Sequence, residues 1–98
     1  MTVYLDNAST TKIDNMVLAE MLPYLRDNYG NASSLHSLGR KSRQAIEHAR
    51  EQVAKSINAE PNQIFFTSGS TESNNWIISN FNHVLCSKVE HHSILNNP

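Results

Sequence analysis

The chain reads as an α/β protein whose sheet is incomplete, and three observations lead there. Two short apolar runs, QIFFT at 63–67 and HVLCSKV at 83–89, have the length and residue types of strands covered on both faces. Between them, residues 70–81 carry a helical pattern, which makes a strand–helix–strand unit of the kind found in parallel sheets. Two strands apolar on both sides need more strands and helices to cover them, and the 98 residues supply neither.

The first residues, VYLDN, alternate as a short extended segment, and DNASTT brings turn chemistry because Asp and Asn side chains bond their own backbone. Across 14–28, Val17, Met21, Leu22 and Leu25 recur at helical spacing, with Pro23 inside the pattern as a kink or restart. Gly30 is suited to a left-handed cap after that helix. The clearest helix follows. Ala45, Ile46, Ala49, Val53 and Ile57 form one stripe, and Arg43, Glu47, Arg50 and Glu51 face solvent. Ser37 or Ser42 starts it, Gly39 weakens the earlier start, and Asn58 and Pro61 break it after about Ile57. Glu51 and Lys55 are spaced for an i,i+4 ion pair. After Gly69 the next helix is expected over 70–81, with Trp76, Ile77 and Ile78 as its apolar face, and a turn or helix begins again near His91.

Bulk properties narrow the function classes. A hydrophobic fraction of 39%, a charged fraction of 17% and a formal net charge of −1 give no basic surplus for nucleic acid. No segment approaches the roughly 18 consecutive apolar residues of a membrane span, and the N-terminus lacks a leader pattern. Cys86 is the single cysteine, so no internal disulfide forms and a cytoplasmic location is expected. Cys86 reads as a small buried hydrophobe in the second strand. Five histidines are present, but the adjacent pair His91–His92 cannot both face one site on a regular element, so no metal is expected.

The chemistry concentrates in TSGSTES, at the junction of the first strand and its helix. A helix N-terminus presents unpaired backbone N–H groups and the positive end of the peptide dipole, which suits phosphate. Gly69 permits close approach, and Ser70 and Thr71 add donors. The same residues also make an ordinary helix start, with Gly69 and Glu72 spaced as in a capping box. Residue spacing alone leaves both readings open. A phosphate further requires that the Glu72 carboxylate point away. His91 follows the second strand, where α/β proteins bind ligands, or is simply a turn histidine facing solvent.

Taken in order, VYLDNASTTKID, VLAEMLPYLRDNYGNASSLHSLGR, IFFTSGSTESNN and CSKVEHHSIL resemble the beginning of the NifS/IscS-like cysteine desulfurases. These belong to the class-V aminotransferases, enzymes of fold type I that use pyridoxal 5′-phosphate (PLP). The resemblance covers almost the whole chain. It implies an N-terminal portion of such a transferase, with 1–61 as arm and helices and 62–98 as the start of the PLP-binding large domain. It further implies that Ser70 and Thr71 bind the cofactor phosphate and that His91, after Glu90, stacks on the pyridine ring. Asn7 and the SSLHSLGR segment fall near the active site or dimer contact.

The family reaction removes sulfur from L-cysteine, leaving L-alanine and an enzyme persulfide for iron–sulfur cluster assembly or thiolation. Its Schiff-base lysine, pyridine-nitrogen acid, persulfide cysteine and substrate-binding arginine lie beyond position 98 in the family. Neither Lys88 nor Cys86 matches any of them, so this chain alone is expected to be inactive and contributes no catalytic residue. Between ESNN and the next strand, WIISNFNHVLC is shorter than the family's crossover. In the family, later strands fill the space between the two strands present here, so these two are expected to pair differently or stay unpaired, with poor stability. The partners implied are a second copy or a complementary C-terminal desulfurase chain. A non-catalytic remnant, or a module that pairs with a full-length desulfurase, is the alternative.

Overall fold

The computed structural model describes residues 2–96, which divide into two units with the boundary after Pro61. In the first unit a turn over 7–9 is closed by the Ser9 and Thr10 N–H groups donating to the Asp6 carbonyl at 3.1 and 3.3 Å. Helix α1, Asn15–Arg26, begins where Asp14 Oδ1 accepts the Met16 N–H at 2.7 Å. That bond satisfies one of the N–H groups every helix start leaves open. Pro23 lies inside α1 and offers no N–H to the turn before it. Its own carbonyl accepts from both Asp27 and Asn28, at 2.9 and 2.8 Å, which closes the last turn.

The left-handed cap expected at Gly30 is therefore not made. The helix has already ended at Arg26, and no glycine in the described residues lies in the left-handed region of φ. Gly30 serves a different need: a Cβ there would run into the backbone of Leu38.

Helix α2, Ser37–Ser56, takes the earlier of its two expected starts. His36 caps it, with Nδ1 accepting the Gly39 N–H at 3.3 Å. Gly39 is buried and makes this start workable, because the turn over 31–34 lies directly against it. Arg43 Nε donates to the Ala32 carbonyl at 2.9 Å and fastens the same turn to the helix.

At the other end Asn58 adopts φ 54°. Its N–H reaches the Lys55 carbonyl at 3.4 Å, and the Ala59 N–H reaches that of Ala54 at 2.9 Å, the two bonds of a Schellman cap. Ala54, 1% exposed, is the buried hydrophobic residue of the described chain, one position beyond Val53 of the expected stripe. The ion pair on α2 joins Arg50 to Glu47 at 3.1 Å, not Glu51 to Lys55.

A 3-10 turn, Pro61–Gln63, stands at the boundary. In the second unit the expected strand–helix–strand is not formed as such. Helix α3, Ser70–Ile78, is present, but 64–67 and 83–87 have no regular structure and no strand occurs among the described residues. The physical reason is pairing. A strand exists through the regular ladder it makes with a neighbour, and no such ladder forms at either run among the described residues. Their side chains are accordingly uncovered: Phe65 is 64% exposed and Leu85 101%.

Cys86, expected to be buried in the second strand, is exposed for the same reason. Helix α3 ends three residues before Phe81, in overlapping turns where Asn80 and Phe81 donate to the Ile77 and Ile78 carbonyls at 3.1 and 3.0 Å. A four-residue helix, α4, His92–Leu95, follows and packs against α3.

Large apolar side chains are open to solvent in both units: Leu18, Met21, Ile46 and Val53 in the first and Trp76 in the second.

Candidate functional site

The site is built on α3. The first hydrogen bond of this helix runs from the Ser73 N–H to the Gly69 carbonyl at 3.2 Å. The N–H groups of Ser70, Thr71 and Glu72 thus have no partner within the helix, and no side chain caps them. They form the positive end of the helix dipole, equivalent to about half an elementary charge. The Ser70 and Thr71 hydroxyls make no hydrogen bond among the described residues, so both are available to a ligand at this end.

Gly69 is extended, with φ 165°, and the space its Cβ would occupy holds no atom within 4 Å. The turn is braced from behind. Thr67 Oγ1 donates to the Gly69 carbonyl at 3.2 Å and meets Ser73 Oγ at 2.8 Å. Phe65 packs edge-on against Trp76, ring centroids 5.3 Å apart at 80°, and anchors the preceding segment to α3.

Glu72 is the group most able to spoil an anion site, and its position answers the concern. Its Oε2 accepts from the Ser68 N–H and from the Ser68 hydroxyl, each at 2.7 Å. The backbone bond, and next the hydroxyl bond, hold this carboxyl below its ordinary range. The capping-box geometry expected from Gly69 and Glu72 is thereby displaced by one residue, toward Ser68. The charge is engaged there and leaves the N–H groups of the first turn open.

His91 is the N-cap of α4 and is tied to α3. Its Nδ1 accepts the Ser93 N–H at 3.1 Å and lies 3.0 Å from Ser93 Oγ. Ser93 Oγ accepts from Asn74 Nδ2 at 2.8 Å. Asn74 stands three residues after Thr71, a rise of about 4.5 Å along the helix. His91 is therefore linked to the second turn of α3, and Ser70 and Thr71 occupy the first. Residue spacing did not reveal Asn74 or Ser93, which are 19 positions apart and carry no shared motif. Among the described residues no group of three His, Cys, Asp or Glu side chains is placed to hold a metal ion. No described helix is long and apolar enough to cross a membrane.

The donors at the α3 start fit a phosphate: three open N–H groups, two free hydroxyls, an empty approach over Gly69 and the nearest carboxylate turned aside. The family model for class-V aminotransferases matches residues 3–97. Cysteine desulfurase IscS from Clostridium botulinum is 46% identical over 101 residues, covering 95% of this chain and 25% of that protein. Cysteine desulfurase IscS from Dictyoglomus turgidum is 48% identical, with 95% and 26% covered. A solved NifS-like protein superposes with a TM-score of 0.88 at 39% identity, over 99% of this chain and 29% of its own. The chain spans about a quarter of the length of the curated relatives it matches. On the family match across nearly its whole length, the chain belongs to the class-V aminotransferases.

Proposed function

We propose that this chain forms the cofactor-phosphate and ring-binding portion of a PLP-dependent cysteine desulfurase. The observation that carries the reading is the uncapped α3 start, where Ser70 and Thr71 keep their N–H groups and hydroxyls free while Glu72 is held on Ser68. In this reading Ser70 and Thr71 bind the phosphate, and His91 lies against the pyridine ring. PLP, when bound, supplies an electron sink for bonds broken next to the substrate amine. The chain's own residues hold and orient the cofactor. The reacting lysine and the sulfur-carrying cysteine come from sequence corresponding to the remaining three-quarters of the relatives.

The substrate is L-cysteine, the product L-alanine, and the sulfur leaves as a persulfide on the enzyme. By itself the 98-residue chain does not turn over cysteine. Its partner is a complementary desulfurase segment, or a second copy in a dimer, and the open apolar surface supports a need for such cover. The single cysteine supports a cytoplasmic location.

The test is reconstitution. The chain is co-expressed with the Clostridium botulinum desulfurase lacking its first quarter, and alanine and sulfide formed from L-cysteine are measured. Activity in the pair only, reduced at least tenfold by Thr71→Ala and by His91→Ala, is the expected result. A pair with no activity, or one indifferent to both substitutions, overturns the reading. A second reading, a non-catalytic remnant, is favoured by one observation, the uncovered 83–87 segment with Leu85 fully exposed. It predicts the inactive pair.

A further inference from the structure

Ser93 is the buried polar residue of the described chain, 8% exposed, and it sits between a half-buried amide on α3 and an exposed imidazole. The three groups make a one-way relay. Asn74 Nδ2 donates to Ser93 Oγ at 2.8 Å and occupies one of its lone pairs, which leaves the hydroxyl proton free to turn to His91. The distance from Ser93 Oγ to His91 Nδ1 is 3.0 Å, and the Ser93 backbone N–H reaches the same nitrogen at 3.1 Å.

A backbone N–H can only donate, so Nδ1 must carry a lone pair. The ring proton of neutral His91 is therefore on Nε2. Two donors from one residue converge on one edge of the ring and fix its plane as well as its tautomer. Donors aligned in one direction polarise one another, so the relay is stronger than its separate bonds.

We propose that Asn74 and Ser93 are positioning residues that hold His91 as the Nε2–H tautomer and set the plane of its ring from α3. They act through His91 and are not themselves catalytic. The relevance to PLP rests on the reading that His91 faces the cofactor; the tautomer and ring placement do not. An imidazole on a four-residue helix would otherwise sample several rotamers, and a stacking partner held in place avoids the cost of ordering it on binding.

The 98-residue chain, labelled with ¹⁵N-histidine, gives the decisive measurement through long-range ¹H–¹⁵N correlation, which tells pyridine-like from pyrrole-like ring nitrogens. His91 is expected to show a pyridine-like Nδ1 and a pyrrole-like Nε2. Ser93→Ala removes the hydroxyl. Asn74→Asp replaces the donor by a carboxylate, which takes the hydroxyl proton and reverses the relay. Each removes one of the two donors to Nδ1 and leaves the Ser93 backbone N–H, so both shift His91 part of the way toward the averaged signals of free imidazole, and Ser93→Thr keeps the single tautomer. PLP binding followed by equilibrium dialysis falls about tenfold in Ser93→Ala, the equivalent of one hydrogen bond of the stronger sort, and returns in Ser93→Thr.

Averaged signals in the unsubstituted chain overturn the proposal, whether the chain is folded or not. So does a tautomer unchanged in both Ser93→Ala and Asn74→Asp. If the tautomer responds as expected but His91→Ala binds PLP as tightly as the parent, the positioning role stands and the cofactor role of His91 falls.

Discussion

Replacing Gly39 by alanine tests the packing of α2 against the turn before it. A Cβ at this position would lie 2.6 Å from the Asn31 carbonyl oxygen and 2.8 Å from the Ser34 Cβ, with the Ser34 carbonyl oxygen closer still. Carbon and oxygen ordinarily stop near 3.3 Å, so two backbone carbonyls have to retreat by more than half an ångström. Overpacking of this kind costs about 1–3 kcal/mol. The retreat also strains the bond from the Ser34 N–H to the Asn31 carbonyl, now 2.9 Å and worth about 1 kcal/mol. Against this, alanine gains about 1 kcal/mol over glycine in a helix. The net loss is about 1–3 kcal/mol, and each kcal/mol lowers the melting temperature of a domain this size by about 4–8 °C. Thermal melting followed by circular dichroism at the helix band reads it directly. An alanine variant that melts at the parental temperature or above, as at an open helical glycine, would refute the close contact between Gly39 and residues 31–34.

Other outcomes follow from the same geometry. Gly69→Ala should leave the melting temperature unchanged, because its backbone is extended and no atom lies within 4 Å of the new Cβ, yet weaken PLP binding by crowding the phosphate approach. Asn58→Val should cost about 1–2 kcal/mol in chemical denaturation, since a branched residue is forced into the left-handed region, and Asn58→Gly should be neutral or stabilising. The bonds from Ser68 place the Glu72 carboxyl below its ordinary range, so its contribution to folding is fully present above about pH 4.3 and is lost as pH falls through the lower folded value. Carboxyl ¹³C titration should give a midpoint for Glu72 below that of free glutamate, and Ser68→Ala should raise it.

Local signals in the chain are legible wherever a few adjacent residues decide the outcome. Ser70 opens α3 and Asn58 ends α2, each expected from its own backbone or side-chain preference, whereas the Asp14 cap of α1 emerges from the structure. Where the outcome depends on a distant or absent partner, local reading fails. QIFFT and HVLCSKV have strand composition, but composition specifies which faces want cover and does not supply a sheet, so neither run forms a strand among the described residues and Cys86 stays exposed. Gly30 looks like a helix cap, and its actual constraint is the Leu38 backbone eight residues away. The candidate phosphate donors at 70 and 71 were visible in TSGSTES. The Asn74–Ser93–His91 relay was not, because nothing in ESNN or HHSIL marks the one as partner of the other.

The central claim is that the α3 start holds a phosphate, and binding of PLP and of pyridoxal to the 98-residue chain tests it most directly. Saturable binding of PLP, displaced by inorganic phosphate, much weaker for pyridoxal and reduced by Thr71→Ala, is the result expected. Equal binding of PLP and pyridoxal, or no binding of either, would contradict it.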